Sequence, residues 1–498
     1  MRVFLLLLVL SCAWAQPATS PPKPAAETKS EPDPISTQHE LRVGSRVLKY
    51  TATAGRLPLV NEQTGQTEAH MFFMAYTLDG AAPKSKRPLM FSFNGGPGAA
   101  SVWMHLGMIG PKRVKLNPDG SYPQPPFTLV DNEHTFLDFA DLVFIDTVGT
   151  GYSRAVSAEA GKKFFGVDGD IASTGEFIRL YLTRYERWTS PLFVIGESYG
   201  TFRAAGLAGY LINRGVAFNG ILLVSSILDF NTTATAPGND LPYLVLLPSY
   251  TATAWYHKRL APDLQKDLKK ALKEAEDYAL NELPSILMKG DRLPAAERAA
   301  AVAKLSRLTG LSKEYIDRAN LRVVLFGFAK ELMRPEGKIV GRLDSRLVAN
   351  VGPDNSDSLD FDPLITAIVP PYRALIGDYV RGELGYKSDL EYYVLGGGIG
   401  PWDYGQAGRR GRETADALRQ SFLKNPHMRL FVASGYYDLG TPYFGTDYTL
   451  SHLGLPASYK PQTTVKYYEG GHMMYIATQQ LKEIASDVAA FVKSALPQ

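Results

Sequence analysis

The chain has 498 residues, 45% of them hydrophobic, with 53 Lys and Arg against 50 Asp and Glu for a net charge of +3. That length suits a large α/β domain carrying an insertion, and the near-balanced charge argues against a nucleic-acid surface or a polyanionic partner. One cysteine excludes an internal disulfide and a multi-cysteine zinc site.

In chain order, Arg2 precedes the apolar run 3–10 and then Ala13-Trp14-Ala15, a small-x-small cleavage pattern before Gln16. The run is too short to span a bilayer. Residues 1–15 are therefore expected to be a secretory signal peptide, making the protein secreted or periplasmic. Cys12 carries the alternative: Val9-Leu10-Ser11-Cys12 is an imperfect lipobox, and a lipidated cysteine would anchor the chain to a membrane. No later segment reads as transmembrane. Residues 16–38, rich in Pro, Ser, Thr, Ala and charge, are expected to form a disordered linker. Residues 46–53 and 68–76 read as antiparallel strands around the turn-prone segment 61–65. Residues 89–93, 142–146, 191–195 and 220–225 read as buried strands alternating with helical segments, the pattern of an α/β fold with a mostly parallel central sheet. From 231 to 425 that rhythm breaks, and residues 264–308 have helical spacing of Ala, Leu, Lys and Glu. The region is expected to be a mostly helical cap, inserted between core segments 39–230 and 426–498. In the latter, residues 428–435 and 464–468 read as strands and 481–492 as a closing helix.

The chemistry centres on Gly196-Glu197-Ser198-Tyr199-Gly200, which follows an apolar strand and precedes a helix rich in small residues. A serine on such a strand-to-helix turn is a candidate nucleophile, and it needs a base and an orienting acid. Of the eight histidines, His472 follows a strand and a glycine loop, Glu469-Gly470-Gly471, and is the candidate base. Asp438, in the loop after strand 430–433, is the candidate acid. Asp447 is the alternative, expected on a following helix as a solvated carboxylate. Asn94-Gly95-Gly96-Pro97-Gly98 after strand 89–93 offers unblocked N–H groups for an oxyanion, with Gly96 and Tyr199 as the donors.

These motifs resemble the serine carboxypeptidase family of α/β-hydrolases. Residues 94–98 resemble its NGGPG, Gly110-Pro111 its following GP, and residues 146–153 its DPVGTG[FY]S with Thr147 in place of proline. Residues 196–200 resemble GESYG, and Gly471-His472-Met473 the segment around its catalytic histidine. The absence of disulfides makes this resemble a bacterial-type member. The resemblance implies an α/β-hydrolase fold and a secreted Ser-His-Asp enzyme that releases C-terminal residues from peptides, with no cofactor or metal. It also implies that Asn94, the backbone of Gly95 and the side chain of Glu197 hold the substrate's α-carboxylate. Three positions depart from the pattern. Met108 stands where the family commonly has a glutamate paired with the first, Ala99 and Ala100 stand where many relatives carry a cysteine, and Thr201-Phe202-Arg203 replaces a usual His-Tyr. Without the second carboxyl, the like-charge coupling that helps one of the pair keep its proton is missing. An esterase, another exopeptidase or an acyltransferase on the same triad is the alternative. A non-catalytic binding protein would be expected to have lost a triad residue. Arg203 is expected either as another carboxylate partner or facing solvent. The sequence leaves oligomeric state open.

Overall fold

The computed structural model describes residues 33–80, 82–351, 361–405 and 413–496. The expected signal peptide, Cys12 and residues 16–32 of the expected linker lie outside this range. Strands β1 (Ile35–Val43), β2 (Arg46–Val60) and β3 (Thr67–Leu78) pair antiparallel in succession. β3 then pairs antiparallel with β5 (Asp141–Ile145). From there the sheet runs parallel through β4 (Leu89–Phe93), β6 (Leu192–Glu197), β7 (Gly220–Val224), β8 (Arg429–Gly435) and β9 (Thr463–Tyr468). The order is β1-β2-β3-β5-β4-β6-β7-β8-β9, with residues 154–155 added beside β3. The α/β-hydrolase layout expected from the sequence is thus present.

Side-chain alternation explains why the parallel strands read as unbroken apolar runs. Met90, Phe144, Ile195, Leu222 and Phe431 face one core, while Phe91, Val143, Val194, Leu223 and Val432 face the other. Both faces are covered by helices, so neither needs polar residues. Helices α1 (Val167–Arg184) and α2 (Tyr199–Ile212) cover the second face. The chain winds away from β4 in both directions, and such a switch point leaves a crevice at the carboxyl ends of the strands. The loops after β4, β6, β8 and β9 all open there.

Two expected boundaries change. β1 begins at Ile35, inside the expected linker, and pairs Ile35 with Ala54. Its pattern is faint because only Leu41 is buried. The helical insertion is also smaller than residues 231–425. Helices α3 (Leu241–Tyr256), α4 (Leu268–Asn281) and α5 (Ala295–Thr309) share a separate core extending to Val340. By contrast, Leu364, Ile368 and Ile376 of α6 (Pro363–Gly382) pack into the first sheet core, together with Ile484 and Val488 of α9 (Thr478–Ser494). Leu418 and Phe422 of α7 (Ala415–Lys424) pack into the second. Helices α6 and α7 thus belong to the hydrolase core, and length and apolar content could not separate them from cap helices.

Candidate active site

Ser198 caps α2 with φ 59° and ψ −130°, a conformation costly for a residue with a Cβ. It is held by Ser198 N–H donating to Val224 O (3.0 Å) and by Thr201 donating from both N–H and Oγ1 to Ser198 O (2.8 and 2.7 Å). The turn is tight enough that a Cβ on Gly196 would sit 2.1 Å from Gly200 O. That contact explains the glycines flanking the serine. The half-buried Ser198 is thereby raised at the N-terminus of a helix, where unpaired N–H groups and the dipole favour negative charge.

His472 and Asp438 come together as expected. His472 Nδ1 lies 2.7 Å from Asp438 Oδ2, and both side chains are buried. Asp438 also accepts from the N–H groups of Gly440 (2.8 Å) and Thr441 (3.0 Å) at Oδ1, and from Thr441 Oγ1 (2.5 Å) at Oδ2. Burial pushes the Asp438 carboxyl up, but the His472 charge and these donors outweigh it and hold it below the usual range. Burial pulls His472 down, and the Asp438 charge and hydrogen bond, aided by Glu197, reverse this and raise it. Among the described residues no hydrogen bond joins Ser198 Oγ to the imidazole, although both line one cavity. Such contacts commonly tighten only with substrate present. Asp447 is excluded as the acid: it lies on α8 (Tyr443–Ser451) and accepts from Tyr467 Oη (2.8 Å). Nor is it the solvated carboxylate expected, since burial pushes it up to about 6.

The loop after β4 packs directly on the serine turn. A Cβ on Gly95 would fall 2.3 Å from Tyr199 N and 2.6 Å from Gly200 N, so only glycine permits this approach. Gly96 has φ +103° and lies at the cavity wall. Among the described residues, nothing accepts the N–H of Gly96 or Tyr199. Arg203 is neither a substrate-facing cation nor solvent-exposed. It is fully buried, donates from Nε to Asp170 Oδ2 (2.7 Å) and from Nη1 to Asn94 O (2.7 Å), and packs against Phe93 and Tyr199. It therefore ties α1, α2 and the loop after β4 together.

Glu197 is buried, yet it lines the cavity with Ser198, Asn94, Gly95, Gly96 and His472. Its Oε1 accepts from Asn94 Nδ2 (3.0 Å), and its Oε2 from Tyr475 Oη. Asn94 Oδ1 is fixed in turn by Met104 N–H (3.1 Å). Burial pushes the Glu197 carboxyl up to about 7, against the opposing effects of His472, Tyr475 and Asn94. The Asp438 charge adds to this upward push, so the rise does not depend on a carboxyl at position 108. Met108 is buried in the first sheet core, and its backbone O accepts from Asn132 Nδ2 (2.8 Å). The sequence reading missed Tyr475. Its position three residues after His472 was the only local hint.

The insertion supplies more than a roof. Leu343 O accepts His472 N–H (2.6 Å), Arg342 O accepts Leu439 N–H (3.0 Å), and Tyr437 O accepts Ser345 N–H (3.0 Å). Residues 342–345 therefore bind the loops of both the candidate acid and the candidate base. Arg342, Leu343, Ile365, Ile368 and Met473 complete a cavity of about 150 Å³ above Ser198. Among the described residues no cluster of potential metal ligands occurs, and no helix is long and apolar enough to cross a membrane.

Comparison with known proteins agrees with this geometry. Residues 54–316 match the family model described as serine carboxypeptidase. Serine carboxypeptidase-like 36 of Arabidopsis thaliana is 29% identical over 173 residues, covering 33% of this chain and 32% of that protein. Pheromone-processing carboxypeptidase KEX1 of Saccharomyces cerevisiae is 32% identical over 174 residues, covering 32% and 22% respectively. The matched stretches thus span a third or less of these relatives' lengths. The crystal structure of KEX1(Δ)p, a prohormone-processing carboxypeptidase from Saccharomyces cerevisiae, shares the fold, with a TM-score of 0.55 at 18% identity over 89% of this chain and 91% of that one. The model match extends from β2 through the strands that carry the glycine-rich loop and the serine turn into the insertion, and the chain belongs to the serine carboxypeptidase family.

Proposed function

We propose that this protein is a secreted serine carboxypeptidase that releases the C-terminal residue of a peptide through an acyl-enzyme formed on Ser198. The observation that carries the reading is Glu197: a buried carboxyl, proton-retaining near neutral pH, facing the cavity beside Ser198 and His472. A protonated acid there can donate a hydrogen bond to the substrate's terminal carboxylate, together with Asn94 and the Gly95 N–H. A neutral ester would have no use for it. The N-terminal segment 1–15 supports export. Arg342 and Leu343, just after the cap's separate core, wall the substrate cavity together with Ile365 and Ile368 of α6.

In the proposed reaction, Ser198 Oγ attacks the last peptide carbonyl and its proton passes to His472 Nε2. Asp438 holds the ring through Nδ1–H and stabilises the imidazolium. The oxyanion is received by the N–H groups of Gly96 and Tyr199. Collapse breaks the C–N bond, and His472 returns the proton to the departing amine. Water activated by His472 then hydrolyses the ester to free Ser198. The test is hydrolysis of N-blocked dipeptides by the wild type and by Ser198→Ala. We expect release of the terminal amino acid by the wild type alone, and much slower cleavage of C-terminally amidated peptides. Amides or simple esters turned over as fast as free acids would favour the esterase alternative.

A pH prediction follows from the same carboxyl. Glu197 must be protonated to donate to a carboxylate, and His472 must be neutral to act as base. Above about pH 7 the substrate's carboxylate meets an ionised Glu197, so KM for free-acid peptides should rise with pH. Glu197→Gln donates at every pH and should flatten that alkaline rise. On the acidic limb Glu197 is largely neutral already, so that limb should change little in the glutamine variant. Steady-state KM and kcat from pH 5 to 9 decide this. An unchanged alkaline limb in the glutamine variant would refute the clamp.

A further inference from the structure

The segment that anchors His472 carries two arginines with different fates. Arg346 is saturated: Nε and Nη2 donate to Asp344 (2.9 and 2.6 Å), and Nη1 donates to Glu469 O (2.8 Å). Arg342 is fixed only through its backbone, donating N–H to Asp362 Oδ2 (2.8 Å) and accepting from Leu439. Its guanidinium reaches the acid loop, where a Cβ on Gly440 would meet Nη1 at 2.9 Å. Among the described residues no carboxylate, carbonyl or hydroxyl pairs with that guanidinium, and it is the single Lys or Arg side chain in the cavity wall. A half-buried arginine held without a partner, beside the apolar Leu343, Ile365 and Met473 of the same cavity wall, is suited to an anionic ligand.

The reaction geometry says which part of a substrate it meets. The departing amine must lie beside His472, which protonates it. The α-carboxylate of the same residue lies at Asn94 and Glu197. The side chain of that residue is left with the remaining wall, in which Arg342 stands among apolar residues that include Trp103, Leu343, Ile365, Ile368 and Met473. Arg342 stands on the His472 side of the cavity: its neighbour Leu343 accepts the His472 N–H (2.6 Å), and its guanidinium reaches the loop of Asp438. We infer that Arg342 makes this site prefer peptides whose released C-terminal residue is aspartate or glutamate. This rests on the carboxypeptidase reading above.

The test compares N-blocked dipeptides that differ only in a C-terminal Glu, Gln, Leu or Lys. The wild type should show a kcat/KM for Glu about tenfold or more above the isosteric Gln. That ratio should collapse toward one in Arg342→Gln, and Arg342→Glu should turn the preference toward Lys. A wild-type ratio near one would overturn the inference. So would a glutamine variant that slows both substrates equally, which would mark Arg342 as a support for His472 or a holder of the α-carboxylate. Failure to cleave any peptide, with Ser198 still labelled by a fluorophosphonate, would instead remove the carboxypeptidase reading itself.

Discussion

Replacing Asp438 with asparagine should lower kcat by about 10⁴-fold while leaving the fold in place. The hydrogen bonds around the carboxylate dictate why. Oδ1 accepts two backbone N–H groups, from Gly440 and Thr441, and neither donor can turn away. An asparagine must therefore keep its carbonyl oxygen at that position. Its NH₂ then takes the place of Oδ2, facing Thr441 Oγ1 and His472 Nδ1. Thr441 can rotate its hydroxyl and accept instead. His472 must present Nδ1 as an acceptor, so its proton moves to Nε2, the atom that has to receive the proton of Ser198. The variant holds the ring in place in the wrong tautomer. Its melting temperature should stay close to wild type, since the donors to Oδ1 remain paired. Single-turnover acylation and kcat on a blocked dipeptide measure the effect. A loss of less than tenfold would mean that His472 does not draw its orientation from Asp438.

The convergence of Ser198, His472, Asp438 and the glycine-rich loop after β4 was legible in the sequence because each follows a strand, and strand ends bring distant residues together. Ser198, His472 and the loop after β4 were identified from strand-then-glycine patterns, and parallel pairing sets those ends along one edge. The proton on Glu197 was not legible. The family pattern pairs this glutamate with a second carboxyl, and Met108 at that position removes the one local signal for a retained proton. Burial, with the nearby Asp438 charge, raises the carboxyl against the hydrogen bonds of Tyr475 and Asn94, and burial depends on the surrounding wall rather than on any motif. Arg342 was invisible for a different reason. It lies in a short irregular segment far in sequence from the serine turn, and only tertiary hydrogen bonds to Leu439 and Asp362 bring it to the cavity. The fate of Arg203 also could not be read locally, because its partner Asp170 lies on another helix.

That buried pair gives the second large effect expected, on stability. Arg203→Met should destabilise the protein by about 3–5 kcal/mol, because it leaves the Asp170 carboxylate buried without its cation. Burial already pushes Asp170 up despite the guanidinium and the nearby Tyr199 hydroxyl, which carries no full charge to replace it. The double change Arg203→Met with Asp170→Leu should recover much of the loss, since apolar replacement of both partners removes the uncompensated charge. Activity should respond differently. Arg203 Nη1 also holds Asn94 O, and Asn94 both receives the serine turn and donates to Glu197. The double variant should therefore regain its melting temperature yet keep a raised KM for free-acid peptides, because the clamp stays loosened. Thermal unfolding and steady-state kinetics on the single and double variants separate the two roles. A double variant that recovers KM together with stability would make Arg203 purely structural. A single variant within 1 kcal/mol of wild type, the range of an exposed pair, would mean that the ion pair is not carrying the charge buried beneath the active site.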